Sequence, residues 1–241
     1  MLRTTGAAIV ALMSAMFLSP MAASAATYTY DLNGTLASST GGPSLIADGG
    51  VLGTSGYEFG PNQGLIFGPA GGPPVESYSI AVDFSFTSTP TARGNGYRKI
   101  VDFLGLSSDT GLYLRNNTVS LYSVRDGGFV DFNQLANLTI GRSTAGLVNV
   151  DLNGSQLFTY DDSTSNLFTF SNLSTLRFFE DDAATSRGEA GTGFVDSIII
   201  TTNGTVSPVP LPASAPMFGA ALLGLAGLGY AAKSKRARAA A

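Results

Sequence analysis

The chain contains no cysteine, no histidine and no tryptophan. Without cysteine there can be no disulfide framework and no thiol nucleophile, so the hydrophobic core alone must hold any fold. Without histidine there is no Ser-His-Asp triad and no His-ligated zinc. Missing tryptophan removes the largest aromatic platform. Charge is also sparse, at 12% Asp, Glu, Lys and Arg. Between residues 26 and 207 no stretch shows the three-and-four recurrence of an amphipathic helix. Carboxylate chemistry and tyrosine or phenylalanine surfaces are what this composition leaves.

What is present begins at the two ends. Arg3 opens a short positive region, residues 6–18 form an apolar core, and Ala23-Ser24-Ala25 precedes Ala26 as an A-x-A cleavage site. This is the pattern of a secretory signal peptide over residues 1–25. At the other end Val209, Pro210, Leu211, Pro212 and Ala213 precede an uncharged apolar run over 215–232. The basic residues Lys233, Lys235, Arg236 and Arg238 follow. A run of about 18 residues is at the lower limit for a transmembrane helix. Its positive flank favours a cytoplasmic end.

The tripartite end, residues 208–241, resembles the PEP-CTERM class of bacterial sorting signals in its Val-Pro-Leu-Pro-Ala variant. The resemblance implies export by the Sec machinery and signal peptidase, and brief anchoring in the inner membrane. An exosortase-like membrane protease would then cut at Val209–Ala213. The implied destination is the cell surface or extracellular matrix of a Gram-negative bacterium that exports polysaccharide.

Residues 26–207 carry seventeen acidic and eight basic residues, a net charge of −9. A nucleic-acid backbone would be repelled by that field, so nucleic acid is not an expected partner. The segment is long enough for one domain with a sizeable core. Its apolar residues alternate and Thr, Ser, Tyr, Phe and Val dominate, which predicts strands. Over 76–87, Tyr78, Ile80, Val82, Phe84 and Phe86 share one face, and Ser79, Ala81 and Asp83 fall on the other. Residues 27–32, 97–104, 175–179 and 193–201 read as further strands. Asn116-Asn117 and Asn153-Gly154 mark two hairpin turns. The Gly- and Pro-rich stretch 41–74 reads as long loops around edge strands at 57–59 and 64–67. Strands at this spacing predict an all-β antiparallel β-sandwich.

The long alternating strand, the hairpins, Leu138-Thr139-Ile140-Gly141-Arg142 and the closing Gly193-Phe194-Val195-Asp196-Ser197-Ile198 resemble the concanavalin A-like, laminin-G-type jelly roll. That resemblance implies a lectin-like module, structural or glycan-binding, with extracellular polysaccharide as its partner. A polysaccharide-acting glycoside hydrolase shares the fold. Its usual E-x-D-x-x-E or E-x-D-x-E spacing is absent here, so no catalytic residue is assigned and an enzyme is not expected.

Two groups of side chains stand out as candidate sites. Glu180, Asp181 and Asp182, followed by Glu189 and Asp196, form the densest acidic cluster. In a loop at a sheet edge such oxygens suit Ca²⁺, and a Ca²⁺-dependent protein-binding adhesin is the corresponding function. A solvated guard on an edge strand is the alternative reading. Tyr97, Tyr113, Tyr122, Phe129 and Phe132 are the aromatics available to a sugar, although alternating aromatics also serve as core.

Overall fold

The computed structural model describes residues 25–68, 75–87, 95–170 and 175–202. Ala23, the sorting motif Val209–Ala213, the apolar run and the basic end lie outside the described residues. Ala25 and Ala26 lie within them, and Ala26 is the first residue of a strand.

The long alternating segment becomes β6 (Tyr78–Phe86), and its five apolar residues are buried while Ser79 is exposed. On one side it pairs with β11 (Ala136–Arg142), which leads through β12 (Leu147–Leu152) to β13 (Ser155–Asp161). On the other side lies β15 (Gly193–Thr202), bordered in turn by β4 (Tyr57–Phe59) and by β1 (Ala26–Tyr30). β3 (Val51–Leu52) closes that edge. Ala26 and Thr202 are register partners, so the chain enters and leaves this sheet at one place.

The second sheet runs in the order β10 (Arg125–Phe129), β9 (Thr118–Leu121), β8 (Leu112–Arg115), β7 (Tyr97–Asp102), β14 (Leu176–Phe178), β5 (Gly64–Phe67) and β2 (Ile46–Asp48). Every strand pair in both sheets is antiparallel. Among the described residues there is no helix. The expected all-β sandwich is therefore present.

Period-2 alternation turns one face of each sheet inward, and the aromatic residues meet there. Phe59 stacks on Phe179 with centroids 4.2 Å apart, and Phe84 and Phe86 pack against the same ring. Each fully buried Phe contributes on the order of 1.5–3 kcal/mol. One end of the core is closed by a buried ion pair. Arg142 Nε donates to Asp162 Oδ2 at 2.9 Å, and its Nη1 donates to the Glu76 carbonyl.

The two hairpin turns take the geometry their residues favour. Asn116 and Asn117 have φ of 47° and 68°, and Asn153 and Gly154 have 49° and 76°. Positive φ at both central positions is what a type I′ turn requires. Two expectations need correction, and one strand forms where the sequence offered no expectation. The stretch 41–74 holds four strands, two of which (β2 and β3) the composition did not suggest. β10 also forms despite Gly127 and Gly128. Finally, β14 is not at an edge: it lies between β7 and β5, so the acidic residues that follow it are neither edge ligands nor an edge guard.

Candidate functional site

Strand β7 contains the irregularity on which the site depends. Its pairing with β8 shifts between Lys99 and Val101, leaving Ile100 as a bulge. A regular strand would put Lys99 and Asp102 on opposite faces. The extra residue puts them on the same outward face. Lys99 Nζ lies 3.0 Å from Asp102 Oδ2, 2.6 Å from Asp182 Oδ2 and 3.9 Å from Asp181 Oδ1. All four side chains are fully buried.

Each carboxylate also ties down a loop. Asp102 Oδ1 accepts the N–H groups of Leu104 and Leu106. Asp182 Oδ1 accepts that of Ala184. Asp181 Oδ2 accepts the Glu189 N–H at 2.7 Å and the Thr185 hydroxyl at 2.8 Å. The segments that follow β7 and β14 are thereby both fastened over the outer face of the second sheet. Burial pushes the Asp181 carboxyl up, partly offset by those hydrogen bonds.

The acidic cluster is thus a buried structural centre, not a solvated loop. Glu180 is turned away from Lys99: its Oε2 accepts from Arg177 Nη1 at 2.6 Å. Burial nevertheless raises its pKa to about 7. The positive charge between the carboxylates is the Lys99 ammonium. Among the described residues no group of three or more carboxylates is arranged to hold a metal ion.

Above this centre stand three tyrosines. Lys99 Nζ lies 4.9 Å from the centroid of Tyr113, its cross-strand partner on β8. The Tyr113 hydroxyl donates to Asp109 Oδ1 at 3.0 Å. Tyr97 meets Tyr113 and Tyr122 edge-on, with centroids 5.7 and 5.5 Å away, and Tyr113 to Tyr122 is 5.7 Å. Tyr113 is buried, whereas Tyr97 and Tyr122 are half-buried. Hydrogen bonding to Asp109 raises the Tyr122 phenol to about 12.

Glu189 is the remaining titratable group of this region. Its side chain is buried and its Oε2 has no hydrogen-bond partner. Burial, then the neighbouring charges of Asp109 and Asp181, raise its pKa to about 8. It is therefore mostly protonated at neutral pH.

Tyr97 opens onto a depression of about 320 Å³ bordered by Arg115, Ser120, Arg125 and Asp126. A second depression, of about 470 Å³, adjoins it through residues 123–125 and continues to Thr159 and Tyr160. The Arg115 guanidinium carbon lies 5.2 Å from the Tyr97 centroid. Across the molecule, a depression of about 450 Å³ is lined by Val51, Glu58, Gln63 and Phe194.

The structure brings together three of the five candidate aromatics. Phe129 stands apart, 60% exposed. Phe132 covers the buried Arg98, whose guanidinium carbon lies 4.7 Å from that ring and 4.5 Å from Phe86. Burial between these rings lowers the Arg98 pKa to about 10. Of the other acidic candidates, Asp196 lies at the β15 bulge in the first sheet, away from the cluster. Lys99, Asp102 and Asp109 escaped sequence reasoning. The one available signal was three charged residues, Arg98, Lys99 and Asp102, in a strand of six that is buried from Arg98 to Asp102.

No family model matches the chain, and no curated protein matches it in sequence. In fold it is similar to domain 4 of AbnA, a GH43 extracellular arabinanase from Geobacillus stearothermophilus solved in complex with arabinotriose. Identity is 14% and the TM-score 0.50, covering 74% of this chain and 93% of that one. It is similar also to the Trypanosoma rangeli sialidase, at 13% identity and a TM-score of 0.54. That likeness covers 75% of this chain but only 30% of the sialidase. Likeness at these identities establishes the β-sandwich fold.

Proposed function

We propose that this chain is an exported, non-catalytic glycan-binding module of the laminin-G-like type, acting at the cell surface or in surrounding polysaccharide. The observation that carries the reading is the Tyr97–Tyr113–Tyr122 group. A buried tyrosine, fixed by Asp109 and Lys99, holds the half-buried Tyr97 and Tyr122, and Tyr97 borders an open groove. Rigid aromatic rings with polar neighbours suit a sugar, whose C–H face packs on a ring while its hydroxyls hydrogen-bond around it. The arabinotriose bound to the arabinanase domain gives a precedent for an oligosaccharide on a sandwich of this shape. The tail reading belongs with this proposal: an exosortase-like protease releases the module after export.

A glycan-array screen of the purified chain, with and without Ca²⁺, tests the reading. Binding should fall about tenfold or more in Tyr97→Ala and Tyr122→Ala. Absence of binding to any glycan, or unchanged binding by both variants, would overturn it.

A glycoside hydrolase is the second reading, and Glu189 is the observation in its favour. A carboxyl protonated near neutrality beside a second acid, Asp109, has the electrostatics of a general acid with its partner. Release of reducing ends from a bound polysaccharide, lost in Glu189→Gln, would establish it in place of the first.

A further inference from the structure

Two of the three exposed cations among the described residues border the same groove as Tyr97. Of the described basic residues, Arg98, Lys99 and Arg142 are buried. Arg177 is ion-paired with Glu180 and Asp48. Arg115, Arg125 and Arg187 remain exposed, and the first two border the same groove as Tyr97. Arg125 borders both that groove and the neighbouring one.

Arg115 is also pre-oriented. Its guanidinium rests over Tyr97, which is itself wedged between Tyr113 and Tyr122. A stacked guanidinium has lost little of its freedom to present paired N–H groups, the geometry that matches a carboxylate. Its nearest carboxylate is Asp126, at 3.8 Å, which is beyond hydrogen-bond length. Both side chains are about half exposed, so their mutual attraction is screened. At physiological salt, charges beyond about 8 Å are largely screened, so the local pair of arginines outweighs the net negative charge of the domain. Asp109, the nearest acid behind the tyrosines, already accepts the Tyr113 hydroxyl.

We propose that this groove recognises the sugar carboxylates of a uronic-acid polysaccharide, with Arg115 and Arg125 as the carboxylate ligands and Tyr97 beneath the sugar. The proposal rests on the glycan-binding reading above and narrows its ligand class to acidic polymers. A polymer is favoured over a monosaccharide, because Arg125 also borders the second depression, which Arg115 does not. Asp126, about half exposed, remains to accept from sugar hydroxyls.

The test uses the full chain and three probes: an oligogalacturonate, the same oligosaccharide with its carboxyls reduced to alcohols, and a sulfated dextran oligosaccharide. Calorimetry should show the uronate binding about tenfold or more tighter than its reduced counterpart. Raising salt from about 0.05 M to about 0.5 M should weaken the uronate complex and leave the neutral one unchanged. The double variant Arg115→Gln with Arg125→Gln should bind the uronate no better than the reduced sugar, with an unaltered melting temperature. Equal affinity for the uronate and reduced sugars would overturn this proposal and leave the glycan-binding reading standing. Tighter binding of the sulfated probe than of the uronate would overturn the assignment of a carboxylate. Binding of none of the three would overturn this proposal, and silence across the wider array would remove the parent reading as well.

Discussion

Lys99 Nζ lies 2.6 Å from Asp182 Oδ2, across 83 residues of sequence, with neither side chain exposed to solvent. With the Lys99–Asp102 pair, whose carboxylate holds Leu104 and Leu106, this contact joins the loop after β7 to the loop after β14. Between them those loops carry Asp109 and Glu189, two acids whose charges act on the tyrosine group. Removing the cation strands three buried carboxylates. Lys99→Met is therefore expected to cost about 3–5 kcal/mol, the range for breaking a buried pair from one side. A drop in melting temperature of roughly 6–20 °C would report it. Adding Asp182→Asn and Asp102→Asn to Lys99→Met should restore part of the loss. Loss of less than about 1 kcal/mol in the single variant would mean that the centre is not structural.

Calcium follows from the same contact. Acidic residues of this density would draw a divalent ion if nothing else neutralised them, and here an ammonium does. The melting temperature of the purified chain is expected to be the same in millimolar Ca²⁺ and in chelator. A rise of a few degrees, reversed by chelator and absent in Asp181→Asn with Asp182→Asn, would show that the ion displaces Lys99.

Stability should fall as pH rises through neutrality. The pKa of Glu189 is raised from 4.5 to about 8, and that of Glu180 from 4.5 to about 7. Between these limits the folded chain holds protons that the unfolded chain has released. Their contribution is complete below the unfolded value and is lost as pH passes the folded one. Thermal melts should accordingly give a higher midpoint at about pH 5.5 than at about pH 8.5. Glu189→Gln, which keeps the neutral shape, should flatten that slope and melt higher than wild type on the alkaline side. A midpoint that climbs with pH over this range would contradict the burial of these carboxyls.

Tail processing is checked by mass spectrometry of protein recovered from the envelope or medium. Mature chains should end near Val209–Ala213 and lack residues 215–232. Pro210→Ala or Pro212→Ala should retain the membrane form, because the prolines hold the recognised segment extended. Exported protein still ending at Ala241 would overturn the sorting reading.

The strands were legible wherever alternation was unbroken. Tyr78, Ile80, Val82, Phe84 and Phe86 declare a half-buried strand by spacing alone, and Asn153-Gly154 declares the turn between β12 and β13. The short strands β2, β3 and β10 were not legible. Their pairing comes from neighbours distant in sequence, and Gly127 and Gly128 argue locally against a strand. The candidate site was visible only as a set of residue types. Tyr97, Tyr113 and Tyr122 were available, but whether they were core or surface depended on which face of the second sheet they occupied.

The sequence by itself determined an all-β domain between residues 26 and 207 without disulfide, triad or histidine-bound zinc, because residue types and period-2 patterning are local properties. The tertiary structure decided the roles of the charges. One bulged residue, Ile100, moved Asp102 to the face of Lys99, and the return of the chain at β14 placed Asp181 and Asp182 against the same ammonium. Neither event leaves a local signal, since a bulge reverses the alternation on which any reading of a strand relies. An acidic run that reads as solvated ligand oxygens became the buried anchor of two loops, because the counter-charge came from a strand 83 residues away.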